Sequence, residues 1–306
     1  MAVAASADRS VPSSLPLDRH TVSWRVLAEP IVFVGGGRAL LLQVAHPKVA
    51  AGVEQHSSYA SDPWARLFRT VDVMTKLSFG SPEVSAAQAR LLDKMHQRVV
   101  GTTSTGEAYD ARDPDLLLWV WATLVDTALL CYERVFTPLT SAERDRYYEE
   151  WKLVAHACGA PEGGCPPTWD DFEAYVARTI SAHLEVTPEA RRVAHATMVP
   201  PLPWPLRVVA TRPHQLATAG LLPERIRVQL GMAWSDRSER RLDRFFAVVG
   251  ALMRCTPRAI RELPSRDTLR RRSTLQLRWL QRHGARLTER RMAQLDPEVP
   301  ASRRPR

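Results

Sequence analysis

"PWARLFRTVDVMTKLSFG" (63–80) runs straight into "SPEVSAAQARLLDKMHQRVVG" (81–101), and this pair decides the fold class. Each half opens on a capping residue followed by proline, Asp62-Pro63 and Ser81-Pro82, and each closes on a glycine, Gly80 and Gly101. These are start and stop signals of helices. The cap side chain takes up a free amide, proline has no amide to lose at the first position, and glycine tolerates the left-handed residue that ends a helix. Between the marks, apolar residues recur at helical and not at strand spacing.

The same signals recur in both directions. Asp113-Pro114 and Thr187-Pro188 are further cap-and-proline pairs, Thr140-x-x-Glu143 reads as a capping box, and Gly159 and Gly220 are further stops. Helices are predicted over 22–34, 37–55, 63–79, 82–100, 114–136, 141–158, 169–184, 188–197, 205–219, 223–232 and 236–254, with one or two more between 257 and 294. No alternating run bounded by hairpin turns is found, so no strand is expected. The chain reads as all-α: a multi-helix bundle and, beyond the stiff Pro200–Pro205 connector, a smaller C-terminal helical layer. Residues 1–20 read as frayed, 21–265 as the folded domain, and 266–306 as an Arg-rich helical tail with a disordered end.

The chain has 306 residues, 45% of them hydrophobic, enough for a sizeable core. Its net charge of +9 is uneven. Residues 258–306 hold fourteen Arg and five acids, while the first 257 residues hold 28 basic and 28 acidic residues and are neutral. Cys131, Cys158, Cys165 and Cys255 form no CxxC pair and read as reduced thiols. No signal peptide is read, and the longest apolar stretch, Leu27 to Val53, is broken by charges, Gly35-Gly36-Gly37 and His46-Pro47. It is expected to be a kinked core helix and not a membrane span, and a cytoplasmic protein is expected.

Two helices carry the candidate chemistry. In the first, helical spacing puts Arg66, Arg69 and Thr70 on one face with Val73 and Leu77. In the second, His96 shares the otherwise apolar Leu92/His96/Val99/Val100 face. An imidazole on an apolar face, one helix from a pair of guanidinium groups, suits haem: iron takes a neutral imidazole and the propionates take Arg. On the residues alone, a core histidine and surface arginines paired with Asp62 or Asp72 account for the pattern too. No P-loop, HExxH or G-x-S-x-G pattern appears.

The chain resembles the haem-dependent oxygenase family that contains the fungal MpaB enzymes, the bacterial latex-clearing rubber oxygenases and many actinobacterial proteins. The pieces that carry the resemblance are "GGGRALLLQVAHPKVAAGVEQHS", "DPWARLFRT", "FGSPEVSAAQARLLDKMHQRVVG", "YDARDPDLLLWVWATLVDT" and "RDRYYEEWKLVAHACGAP", with "GLLPERIRVQLGMAW" and "LPSRDTLRRR" later. They span about residue 35 to 272. The resemblance implies haem b, with His96 as the iron ligand and Arg66, Arg69 and Thr70 beside the pocket, Arg69 standing where rubber oxygenases have Lys. It implies a distal base for which Glu54, His46 and His56 compete; His46 precedes Pro47, which should kink the helix and free carbonyls beside it. Family members usually carry His where this chain has Trp121, and Tyr109 and Trp119 are candidate pocket walls.

What the resemblance implies is an oxidoreductase acting on a small hydrophobic substrate, isoprenoid or lipid, with dioxygen and an unidentified electron donor as partners. The alternatives are a haem protein without oxygenase turnover, such as a sensor or a peroxidase-like protein, and an anion- or nucleic-acid-binding protein acting through Arg270–Arg272, Arg290-Arg291 and Arg303-Arg304. Leu275, Leu277, Trp279, Leu280 and Leu287 interleave with those arginines, so a packed helix with a solvated basic face is the favoured reading of the tail and no specific nucleic acid is expected.

Overall fold

A computed structural model describes residues 15, 17–56, 63–199 and 204–262, with the side chains of 63–69 and 206 left out. The expected Arg-rich tail, the start of the proline connector and the Asp62 cap lie outside the described residues. In order come α1 (Val22–Leu27), a 3-10 helix (Pro30–Gly35), α2 (Gly36–Val44), α3 (Pro47–His56), α4 (Pro63–Phe79), α5 (Pro82–His96), β1 (Val100–Thr102) and β2 (Ala108–Asp110). Then follow α6 (Pro114–Glu133), α7 (Ser141–Cys158), α8 (Trp169–Ala182), α9 (Pro188–Thr197), α10 (Trp204–Leu221), α11 (Glu224–Gln229), α12 (Asp236–Cys255) and α13 (Arg258–Arg261).

The caps act as read. Ser81 accepts from the Val84 amide, Asp113 from Asp115 and Thr187 from Ala190, and the Thr140–Glu143 capping box is complete in both directions. Four expectations are corrected. The expected 37–55 helix is two helices, because Pro47 ends the ladder after Val44; Glu185 N–H then takes the freed Ala45 carbonyl at 2.8 Å. The expected 82–100 helix stops at His96, and Val100–Thr102 instead pairs antiparallel with Ala108–Asp110, so a small hairpin exists where no strand was expected. Of the four glycine stops only Gly159 is left-handed; Gly106, Gly163 and Gly231 also take positive φ, while Gly220 sits inside α10. Within the stretch expected to fray, Leu15 and Leu17 are buried and the Leu17 amide reaches the Ser78 carbonyl at 2.7 Å.

Helix α6 is the axis of the bundle, packed by the 3-10 helix, α2, α1 and α7. It is the one described helix long and apolar enough to cross a membrane, a feature the sequence reading missed, but 67% of that stretch is buried inside the fold. Buried aromatic groups on α6, α7 and α8 close the core. Trp121 packs on Tyr148 and Phe172, and Trp169 on Tyr148. Their polar tips are satisfied by carbonyls: Trp121 Nε1 donates to Trp151 at 3.0 Å, Tyr147 to Val125 at 3.0 Å and Tyr148 to Pro166 at 2.8 Å. A smaller second core joins Ile31, Cys131 and Val135 to Leu221, Leu242 and Phe246, which is the C-terminal layer of α10 and α12.

Burial pushes the Cys131 and Cys158 thiols up to about 12, so neither is a thiolate at neutral pH. Among the described residues no cysteine is disulfide-bonded. On α10, burial holds His214 below the ordinary imidazole range, although its Nε2 lies 3.0 Å from the Thr197 carbonyl, which acts the other way. A depressed histidine costs nothing above its unfolded pKa. As pH falls through that value the unfolded chain takes a proton that the fold resists, and stability is lost. Lowering the pH from about 7.5 to 5.5 should therefore lower the urea midpoint of the wild type, and His214→Gln should keep part of that loss from occurring. Equal losses in the two proteins would show that the ring charges freely in the fold.

Candidate functional site

Helices α4 and α5 meet through a two-residue turn and pack on one another, so α5 runs back along α4. Thr70 lies about ten residues before that turn and His96 about fifteen after it. At ~1.5 Å per residue, His96 therefore falls level with the first turn of α4, roughly 8 Å beyond Thr70 along the axis. The backbone of Arg66 and Arg69 lies between those two levels. The side chains of both arginines lie outside the described residues.

Thr70 lines a partly open cavity of about 140 Å³ bordered by α1, the 3-10 helix, α2, α4, α6 and α7. Its walls are apolar: Trp24 and Leu27 from α1, Leu40 from α2, Met74 and Phe79 from α4, and Leu124 from α6. Where the 3-10 helix meets α2, Gly35 and Gly36 add bare backbone to the wall. Few polar groups touch it, and several are already committed. Gln43 donates to Thr123 at 2.9 Å, and Thr127 accepts from Arg38 at 2.5 Å. Trp151 also lines the cavity, and its buried indole N–H stands beside the Tyr147 hydroxyl, making no close hydrogen bond among the described residues.

His96 closes α5 and is half-buried; it is not part of this wall. Its carbonyl accepts the Val99 amide at 2.9 Å as the chain turns into β1. The expected apolar helical face is thereby corrected: Val99 and Val100 have left the helix, and Val100 is 47% exposed. Opposite, on β2, Asp110 stands within electrostatic reach of the imidazole. Its carboxyl is held below the usual range, first by the side-chain hydrogen bonds of Arg112 at 2.7 and 3.2 Å and last by His96.

The other expected residues lie apart from the cavity. Glu54 is exposed and ion-paired to Arg192 of α9 at 2.5 Å. His56 is exposed at the end of α3, its Nε2 3.0 Å from the Val100 carbonyl. His46 sits in the break between α2 and α3 with Nδ1 buried and, among the described residues, unpartnered; burial, then Lys48 and His183, keeps its pKa low. Tyr109 is buried under the hairpin and donates to Gln55 at 2.7 Å, and Trp119 is fully buried with its N–H on the Leu42 carbonyl at 3.1 Å. Neither lines the cavity, because each polar tip is drawn to a backbone or amide acceptor elsewhere. Trp121, where the resemblance expects His, is locked in the aromatic core. Among the described residues no three His, Cys, Asp or Glu side chains gather as a multi-ligand metal site would.

The sequence reading missed the cavity walls, Trp151 and Met74 above all. Their apolar spacing signalled only burial, and nothing in one chain's sequence separates a core face from a cavity face.

Residues 24–251 match the family described as "ER-bound oxygenase mpaB/B'/Rubber oxygenase, catalytic domain". An uncharacterised protein of Mycobacterium bovis is 28% identical over 222 residues, 71% of this chain and 87% of the relative. An uncharacterised protein of Mycobacterium tuberculosis is similar to the same extent. No solved structure matches the chain.

Proposed function

The chain belongs to the family of mpaB-type and rubber-oxygenase catalytic domains, and from that premise we propose that it is a haem b-dependent oxygenase acting on a small hydrophobic substrate. The observation that carries the reading is the apolar cavity on α4, with the imidazole of His96 on the adjoining helix. The residues fit the group in kind. A half-buried imidazole can ligate iron, a carboxylate in its field is what orients a ligating histidine, and the neighbouring apolar cavity suits a hydrocarbon. His96 would hold the haem, and Arg66 and Arg69 would meet its propionates.

When bound, haem supplies the activation of dioxygen. The chain supplies position. The walls at Leu40, Met74 and Phe79 hold a hydrocarbon and keep water out. The Thr70 hydroxyl offers a polar point on the α4 wall.

The test is the absorption spectrum of the purified full chain after addition of haemin. A Soret band is expected in the wild type and in His56→Ala, and its loss or displacement in His96→Ala. A protein that stays colourless, or a band untouched by His96→Ala, overturns the assignment. Oxygen consumption with a panel of isoprenoid and lipid substrates then separates an oxygenase from a haem protein that does not turn over.

A further inference from the structure

Helix α12 buries one face on Leu242, Phe246 and Gly250. At 100° per residue, Arg237, Arg240, Arg241, Arg244, Val248 and Leu252 fall within one arc on the opposite side. All six are exposed, Val248 by 69% and Leu252 by 67%. The four arginines border a common concavity. None of the four has a carboxylate partner among the described residues, although acids stand on the same helix: Asp243 pairs with Arg134 at 3.5 Å, and Glu239 accepts from Trp234 at 2.8 Å. An ordinary solvated helix face mixes both signs. This one is cationic along its first two turns and aliphatic along the next two.

We propose that the outward face of α12 docks on an anionic phospholipid membrane, the arginine row on the headgroups and Val248 and Leu252 at the edge of the acyl layer. Charge chooses the occupant. A second copy of the same face would meet it with four like charges. Residues 263–306 hold twelve Arg and four acids, so that segment cannot neutralise the row either, and it adds to the attraction for an anionic surface. The aliphatic half distinguishes lipid from nucleic acid, since a phosphate backbone contributes no apolar surface for two exposed aliphatic side chains to enter. The docking is peripheral and reversible, and it leaves the α4–α5 site untouched.

The experiment is flotation of the full chain with vesicles of phosphatidylcholine alone and of phosphatidylcholine mixed with phosphatidylglycerol. Binding is expected only to the mixed vesicles and should weaken with salt. Each arginine near an anionic surface is worth roughly fivefold in affinity, so Arg237→Gln, Arg240→Gln, Arg241→Gln and Arg244→Gln combined should weaken binding on the order of a hundredfold or more. Val248→Ser with Leu252→Ser should weaken vesicle binding while leaving retention on heparin unchanged. A chain carrying Arg270→Gln, Arg271→Gln and Arg272→Gln should remain sensitive to the α12 changes. Undiminished vesicle binding by the quadruple variant, with wild-type circular dichroism and melting, overturns the proposal. So does binding to duplex DNA without binding to mixed vesicles. Neither result touches the haem assignment.

Discussion

Arg38→Ala should lower the free energy of unfolding by about 3–5 kcal/mol, read in urea as a lower midpoint with an unchanged slope. Arg38 is 5% exposed and lies in α2. Its Nη2 meets Asp126 at 2.6 Å, its Nη1 donates to Thr127 at 2.5 Å, and its Nε donates to the Leu221 carbonyl at 2.7 Å. One planar fork thus ties α2 to α6 and to the end of α10. Removing it leaves a carboxylate, a hydroxyl and a carbonyl facing an apolar hole, and the cost is the unpaired groups more than the lost attraction. Arg38→Lys should recover little, because a single ammonium cannot reach three acceptors in three directions. Asp126→Asn should cost less, since the Asp126 side chain is 26% exposed and water can partly replace it. A loss below about 1 kcal/mol for Arg38→Ala, the range of an exposed pair, would show that the guanidinium is solvated in the native state.

Gly37→Ala should destabilise by about 1–2 kcal/mol net, against the sign that helix propensity alone would give. Exchanging glycine for alanine inside a helix ordinarily gains about 1 kcal/mol. Here the added Cβ would collide with Thr218 of α10, a fully buried β-branched side chain, and would stand only 3.1 Å from the Thr218 Cβ itself, which no rotamer change moves. Overpacking of this kind costs about 1–3 kcal/mol, and two helices would have to part to relieve it. Thr218→Ala supplies the control. Its hydroxyl has no hydrogen-bond partner among the described residues, so losing it is cheap, and the double variant should regain most of what Gly37→Ala loses. Additive losses in that cycle would place the strain somewhere other than the α2–α10 contact.

These two positions also mark where sequence reasoning reached its limit. Caps and prolines are local chemistry, and Ser81, Asp113, Thr140 and Thr187 were readable because each acts on amides within three residues. The end of α5 was not, since what draws Val100 out of the helix is a ladder partner ten residues away at Asp110. Gly35-Gly36-Gly37 and Arg38 read as interruptions of an apolar run. In the fold they are its tightest joint, with Gly35 against Thr127 and Cys131 as Gly37 is against Thr218. That meaning depends on residues about ninety to one hundred and eighty positions later, as the bonds of Arg38 to Thr127 and Leu221 illustrate. The site divides in the same way. Thr70 and His96 lie on adjoining helices because their spacing is helical, whereas Glu54 was chosen by nearness in sequence, and the fold turns it toward Arg192.

The glycines that let α2 approach its neighbours also shape the ligand chamber. One side of that chamber is bare main chain at Gly35 and Gly36, braced from behind by the helices on which it rests. A floor of that kind has no rotamers, so it cannot widen for a bulkier guest. Met74 and Phe79 of α4 line it as well, and a thioether with three rotatable bonds yields readily. Tolerance for branching or girth should therefore be one-sided, with guests registering flat against the rigid floor while the methionine side adjusts its fit.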